Sequence, residues 1–183
     1  MKAVSKFMFV LVVVLLAVLL TTVGVGAQEA TQAATQEASP ISEAAAMQFA
    51  EKFNSIFDGP NLAVADEILA PDFVGHLPLA PTLDLAGWKG YVSSFYAAMP
   101  DLTETVNQVI VSKDRVVLHV TYTGTQNGPL FGIPATGKHV TLDGIGIFRF
   151  NEKGQAVENW AIIDVVGLLA QIGAFPPTQP AAS

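Results

Sequence analysis

Gly124-Thr125-Gln126-Asn127-Gly128 is followed by Gly132-Ile133-Pro134-Ala135-Thr136-Gly137 and, further on, by Trp160-Ala161-Ile162-Ile163-Asp164. The first two pieces bound a loop too rich in Gly and Pro for regular structure. The third places one acid at the end of an otherwise apolar strand. Around the loop the residues follow strand period: 103–111, a Ser112-Lys113-Asp114 turn and 115–123 lie before it, while 140–151 and 155–164 lie after it, joined by Glu152-Lys153-Gly154. Two hairpins separated by an irregular loop are the reading that decides the fold.

Upstream, the period is helical. Ala46, Phe49, Ala50, Phe53, Ile56 and Phe57 recur on one face, with Ser42 as N-cap and Asp58-Gly59-Pro60 as the stop. A short second helix over about 62–70 ends at Pro71, and Phe73-Val74-Gly75-His76 is an extended lead into a loop. Asp84 caps a third helix whose stripe is Trp88, Tyr91, Val92, Phe95 and Met99, terminated by Pro100. Residues 165–172 add a closing helical turn or two. Helices first and long meandering strands afterwards predict an α+β fold, with about three N-terminal helices packed on the concave face of a curved, mainly antiparallel sheet.

The chain of 183 residues has room for one domain with a real core, placed at 42–174. Lys2 and Lys6 precede an uncharged apolar run, and Val25-Gly26-Ala27 offers short residues for a signal peptidase, so residues 1–27 read as a cleaved signal peptide. The alternative is an N-terminal membrane anchor, since residues 7–27 carry no charge. Residues 28–41, built mostly from Ala, Gln, Thr, Glu and Ser, read as a flexible linker, and 175–183 as a disordered tail. A secreted or extracytoplasmic protein, with no membrane insertion after cleavage, is the resulting expectation.

Nine basic residues face sixteen acidic ones, a formal charge of −7; loss of Lys2 and Lys6 leaves seven against sixteen, or −9. Such a surface repels nucleic acid, and no Lys/Arg cluster offsets it locally. The absence of Cys excludes disulfides, a lipidated cysteine and a thiol nucleophile. The three His residues, 76, 119 and 139, show no ligand spacing, so no metal site is expected. There is no Gly-x-Ser-x-Gly elbow and no Gly-rich strand-to-helix turn for a nucleotide.

Asp164 is the first chemical candidate. An acid following an apolar strand is either a proton acceptor held near a substrate or the N-cap of the helix that begins at Val165. His119 shares a strand face with Val117 and Thr121, opposite Val116, Leu118, Val120 and Tyr122. Asp143 interrupts the strand 140–150 as a surface charge or a pocket acid. Trp88, Tyr91, Phe95 and Trp160 read first as core.

Together with Met99-Pro100-Asp101-Leu102 and Gly167-Leu168-Leu169-Ala170-Gln171-Ile172-Gly173, these motifs resemble the SnoaL-like polyketide cyclase (ester cyclase) family of the nuclear-transport-factor-2-like superfamily, over roughly residues 44–174. The resemblance implies a cone enclosing a pocket open at one end, with Asp164 as the acid/base of an intramolecular aldol ring closure and no cofactor. It also implies a polar pocket-mouth role for His76 and a pocket lining that overlaps the core residues Trp88, Tyr91, Phe95 and Trp160, while His119, read from its strand position alone, is either a catalytic partner that orients a ligand carbonyl or pairs with an acid, or an ordinary half-exposed strand histidine. Trp88, Phe95, His119, Trp160 and a partly buried Asp164 are accordingly expected to point into one cavity. Members commonly carry His after Gly-Thr in the loop, where this chain has Gln126, an amide that does not titrate.

The function expected from the resemblance is cofactor-free cyclisation or isomerisation of an apolar carbonyl compound by an exported protein. The alternative is a non-catalytic module that binds a small hydrophobic molecule in the same pocket. A structural or dimerising domain with a filled cavity is a third, and a homodimer stands among the partners considered.

Overall fold

The computed structural model describes residues 41–59 and 61–175. The expected signal segment, the linker up to its last residue and the tail after its first lie outside that range. Among the described residues no helix is long and apolar enough to cross a membrane.

Helix α1 spans Glu43–Ser55, and its Ser42 cap accepts a hydrogen bond from Ala45 N at 3.2 Å. Glu43 in the first turn and Lys52 in the last complement the helix dipole. Its apolar spacing buries Ala46, Phe49, Ala50 and Phe53 on one face. The short α2 covers Ala63–Ile68, and α3 covers Leu85–Ala98 behind an Asp84 cap that accepts from Gly87 N at 2.8 Å. Pro100 lacks the N–H that another helical turn needs, and the chain leaves the helix at Met99.

The strands are β1 Leu69–His76, β2 Thr103–Ser112, β3 Arg115–Thr125, β4 His139–Phe150 and β5 Ala156–Ile163, followed by α4 Val165–Ile172. They form one open, curved sheet in the order β1-β5-β4-β3-β2. All neighbours are antiparallel except β1, which runs parallel to β5. The α+β class is as expected. One strand is longer than the sequence reading allowed: β1 starts at Leu69 and runs through Pro71. That proline is tolerated because β1 is an edge strand whose register is irregular between Leu69 and Val74.

Strand alternation gives the sheet two faces. Val116, Leu118, Val120 and Tyr122 of β3 point inward beside Val140, Leu142, Phe148 and Phe150 of β4. Gly144 and Gly146 share that inward face and make room for rings: a Cβ at 146 would sit 2.8 Å from Phe148 Cε2, and one at 144 would sit 3.1 Å from Tyr122 Cε2. Helix α1 seals one end of the inner face with Phe49 and Phe53, whose rings meet Phe148 edge-on at 4.9 Å each. Trp88 of α3 continues the layer against Phe53 and Phe73, at 6.0 and 6.2 Å. Edge-to-face pairs of this kind add about 0.5–1.5 kcal/mol each beyond area burial, so this aromatic layer anchors the helices to the sheet.

Candidate functional site

Beyond the sealed end, α3 and the sheet diverge around an apolar cavity of about 70 Å³. Trp88, Tyr91, Phe95 and Met99 line it from α3, Tyr122 and Leu142 from the sheet, and Asn159, Ala161 and Ile163 from β5. The helical period supplies one wall, since residues 88, 91, 92, 95 and 99 fall on a single stripe of α3. Strand parity supplies the other. Phe131 lies edge-on over Phe95 at 5.8 Å and is 39% exposed, while Leu79, two residues beyond the lining Leu77, is 69% exposed. Both adopt positive φ, 51° and 58°, a conformation that costs a non-glycine residue about 1–3 kcal/mol and clusters at ligand clamps. The surroundings of the cavity are therefore apolar outside as well as in.

Few polar groups touch this space. Tyr91 Oη donates to Pro78 O at 3.0 Å, and burial pushes the Tyr91 hydroxyl up to about 12. Asn159 is 2% exposed and its Nδ2 donates to Ile147 O at 3.3 Å. Tyr122 stands opposite Glu104 in the β2–β3 register. Glu104 is only 4% exposed, and neither of its carboxyl oxygens closes a hydrogen bond of ordinary geometry. Burial pushes its carboxyl up to about 7 even though the nearby Tyr122 hydroxyl favours the charged form, and the charge of Asp58 adds to the rise. Burial and the Glu104 charge together hold the Tyr122 hydroxyl well above the usual tyrosine range. Tyr96, whose Oη donates to Ile56 O at 2.6 Å, is pushed up to about 12 by burial, then by Glu104 and Asp58.

Of the residues expected around the pocket, Trp88, Tyr91 and Phe95 do line it. The others do not, which corrects the expected convergence. His119 and Asp143 lie on the outer face in a shallow depression with Ile145, Ile162 and Asp164. Parity is the reason: Val116, Leu118, Val120 and Tyr122 took the inner side of β3, leaving His119 outside. Asp143 accepts from Thr121 Oγ1 at 3.1 Å across the β3–β4 pair.

Trp160 is also on the outer face, stacked on His76 at 5.3 Å with an interplanar angle of 15°, with the Arg115 guanidinium 5.3 Å from its ring centre. His76 Nε2 meets Glu158 Oε1 at 3.0 Å, and Arg149 Nη2 donates to Glu158 Oε2 at 2.8 Å. Those partners, the His76 hydrogen bond foremost and Arg149 after it, hold the Glu158 carboxyl below its ordinary range.

Asp164 is exposed rather than partly buried, and it caps α4: Oδ1 accepts from Gly167 N at 2.8 Å. Its carboxylate folds over Gly167, where any Cβ would overlap it. Its chain neighbour Ile163 lines the cavity, but Asp164 itself lines only the outer depression.

Gln126, at the position where a titratable His was noted as common, is fully buried. Its Nε2 donates to Gly128 O at 3.0 Å and Pro134 O at 3.1 Å, and its Oε1 accepts from Thr136 Oγ1 at 2.5 Å. The amide ties the Gly/Pro loop together from within, a task that needs a donor and an acceptor on one side chain.

Sequence reasoning overlooked Glu104, Tyr122 and Asn159 as site residues. Tyr122 was within reach, because it shares a face with Val116, Leu118 and Val120. Glu104 was obscured by a β-bulge between Val106 and Gln108, which breaks the parity of β2. Among the described residues no group of three His, Asp or Glu side chains is arranged to hold a metal ion.

Comparison with known proteins bears on this geometry. A profile of the family described as SnoaL-like polyketide cyclase matches residues 46–172. TsrD from Streptomyces laurentii is similar at 27% identity and TM-score 0.68, over 74% of this chain and 99% of that one. IdmH from Streptomyces antibioticus is similar at 30% identity and TM-score 0.62, over 69% and 97%. A protein with a ketosteroid isomerase-like fold from Catenulispora acidiphila, solved with trimethylamine, shares the fold at 14% identity and TM-score 0.59, over 68% and 92%. A search of curated protein sequences returns no match.

Proposed function

Since this chain belongs to the SnoaL-like polyketide cyclase family, we propose that it binds a small apolar carbonyl compound in the cavity between α3 and the sheet and rearranges it by cofactor-free acid/base chemistry. The observation that carries this reading is the make-up of the cavity: aromatic and aliphatic walls, apolar surroundings, and only neutral hydroxyl and amide groups to orient a ligand oxygen. In a ring closure of the aldol type, a proton leaves the carbon beside a carbonyl, that carbon bonds to a second carbonyl carbon, and the resulting alkoxide takes up a proton. No atom is lost, so the protein has only to move protons and stabilise oxygen charge.

At about 70 Å³ the cavity is smaller than the roughly 150 Å³ that accommodates benzene in an engineered core. A ligand the size of an aromatic ketone therefore enters by displacing lining side chains, with Leu77 and Phe95 lying beside the exposed Leu79 and Phe131. Asp164 caps α4 through Oδ1 and lines the outer depression, so it acts as the base in this reading only after its carboxylate turns toward the cavity. That engagement favours the second reading, a non-catalytic module that holds an apolar ligand. Native mass spectrometry of the purified chain identifies what co-purifies, and the wild type and Asp164→Asn are then compared on that compound. Turnover by the wild type that drops about 10²–10⁴-fold in the variant supports Asp164 as base. Equal binding with no conversion by either supports the binding module.

Export belongs to the same proposal and rests on the layout of residues 1–27. Mass analysis of secreted material showing Gln28 as its first residue supports it, whereas full-length chain in the membrane fraction converts the reading to an anchor.

A further inference from the structure

Asn54 Oδ1 and both carboxyl oxygens of Glu104 are buried without a hydrogen-bond partner. With Glu104 ionised, all three are acceptors, and acceptors cannot satisfy one another. A proton on Glu104 turns one of its two oxygens into a donor. Asn54 and Glu104 line one groove between α1 and β2. On the far side of Glu104 stands Tyr122, its register partner, whose ring forms part of the cavity wall. The partition between groove and cavity is thus a carboxyl backed against a phenol.

Resting on the reading of the cavity as the seat of an apolar carbonyl compound, we propose that Glu104 and Tyr122 form its polar end: the protonated Glu104 carboxyl donates to Tyr122 Oη, and Tyr122 donates to the oxygen of a bound ketone, enol or phenol. Tyr122 touches the ligand. Glu104 is a positioning residue.

Three tyrosines approach this end of the cavity, and their hydroxyls are not equivalent. Tyr91 Oη is committed to Pro78 O at 3.0 Å and Tyr96 Oη to Ile56 O at 2.6 Å. The Tyr122 hydroxyl meets no backbone carbonyl among the described residues and faces the Glu104 carboxyl, so protonation of Glu104 frees its hydrogen for a ligand. The charged and titratable groups facing Glu104 are Asp58 beyond the end of α1, Glu51 on the α1 side of the groove, Tyr96 on α3 and Tyr122 on β3. Asp58 opposes ionisation of Glu104, and burial opposes it more strongly, bringing the carboxyl to about 7. When Glu104 does ionise, the carboxylate draws the Tyr122 O–H toward itself and the ligand oxygen loses its donor. Ligand affinity should therefore decline as pH rises through neutrality.

The test uses acetophenone, a small aromatic ketone, whose carbonyl stretching frequency reports the donor it meets and whose own charge does not change with pH. Binding and the infrared carbonyl band are followed from about pH 5.5 to about pH 8.5 for the wild type, Glu104→Gln, Tyr122→Phe and Leu142→Trp. The wild type is expected to lose about tenfold in affinity across the range, the worth of one hydrogen bond, with the carbonyl band moving to higher frequency. Glu104→Gln keeps a neutral donor beside Tyr122 at every pH and should bind with no pH slope. Tyr122→Phe should bind about tenfold more weakly below neutrality and show the unbonded carbonyl band throughout.

Acetophenone binding that Leu142→Trp blocks, but whose affinity and carbonyl band are identical in the wild type, Glu104→Gln and Tyr122→Phe, overturns the pair and leaves the cavity reading standing. Absence of binding to the wild type, or binding unaffected by Leu142→Trp, overturns both. Should Tyr122→Phe fail to fold, a wild-type carbonyl band that does not move between the two pH limits is sufficient to reject the proposal.

Discussion

The two faces of the sheet handle acidic side chains in opposite ways. On the inner face Glu104 lies 4% exposed with no hydrogen bond of ordinary geometry, and burial forces its carboxyl upward to about 7. On the outer face Glu158 is met by His76 and by Arg149, and its carboxyl is held low. Both residues sit on strands of one sheet. Solvation and partners, not residue type, set the charge state, so a carboxyl deprived of water is the better candidate for the proposed proton chemistry than one that is well paired.

The most severe way to probe that contrast is to remove mass from each face. Phe148, 1% exposed beneath Phe49 and Phe53, should cost about 3–5 kcal/mol as Phe148→Ala, whereas Ile162→Ala at a 68% exposed outer position should stay within about 0.5 kcal/mol. Denaturant midpoints at fixed m-value measure both. Comparable losses would mean that something covers the outer face in solution.

Titration separates the faces by sign. Burial raises the folded-state pKa of Glu104 to about 7, above the ordinary carboxylate range. The stability it contributes is fully present below the unfolded value and is lost as pH rises through the folded one, on the order of 2–4 kcal/mol in all. Glu104→Gln should abolish that slope and stabilise the protein above neutral pH by a similar amount. A wild-type melting curve equally stable on both sides of neutrality, once other titrations are matched in the variant, would contradict it.

A smaller effect belongs to the helix cap at the end of β5. Asp164→Ala should cost about 0.5–2 kcal/mol, and Gly167→Ala should cost a similar amount, because its Cβ would displace the same carboxylate. Chemical denaturation of the two single variants and the double variant measures their coupling. Additive losses would show that the cap does not depend on Gly167.

The smallest effect is at Glu158, whose folded-state pKa is depressed. Its contribution is present above the unfolded value and lost as pH falls through the folded one, the reverse of Glu104. The site is largely solvent-screened, so Glu158→Gln should flatten the acid limb of the stability profile by only a fraction of a kcal/mol.

How far the residues themselves announced these faces differs from strand to strand. In β3 the alternation of Val116, Leu118, Val120 and Tyr122 was legible, and it already implied that His119 lies outside; placing His119 in the pocket ran against that parity. In β2 the alternation was not legible. The bulge after Val106 shifts the register by one residue, and a bulge leaves no local composition that identifies it. Pro71 argued against a strand, yet β1 runs through it because an edge strand can leave one ladder bond unmade.

By itself the sequence determined the α+β order, the helix caps at Ser42 and Asp84, the aromatic stripe of α3 and the Gly/Pro loop, because each depends on neighbours a few residues apart. It also carried both possible roles of Asp164. Only the tertiary structure decided that Asp164 is exposed and engaged as a cap, that Trp160 and His76 stack outside the cavity, and that Glu104 is buried against Tyr122. Those outcomes are set by the pairing of strands and the docking of α1 over β2, which bring together residues far apart in the chain. Desolvation is a property of that assembled neighbourhood, and no single segment contains it.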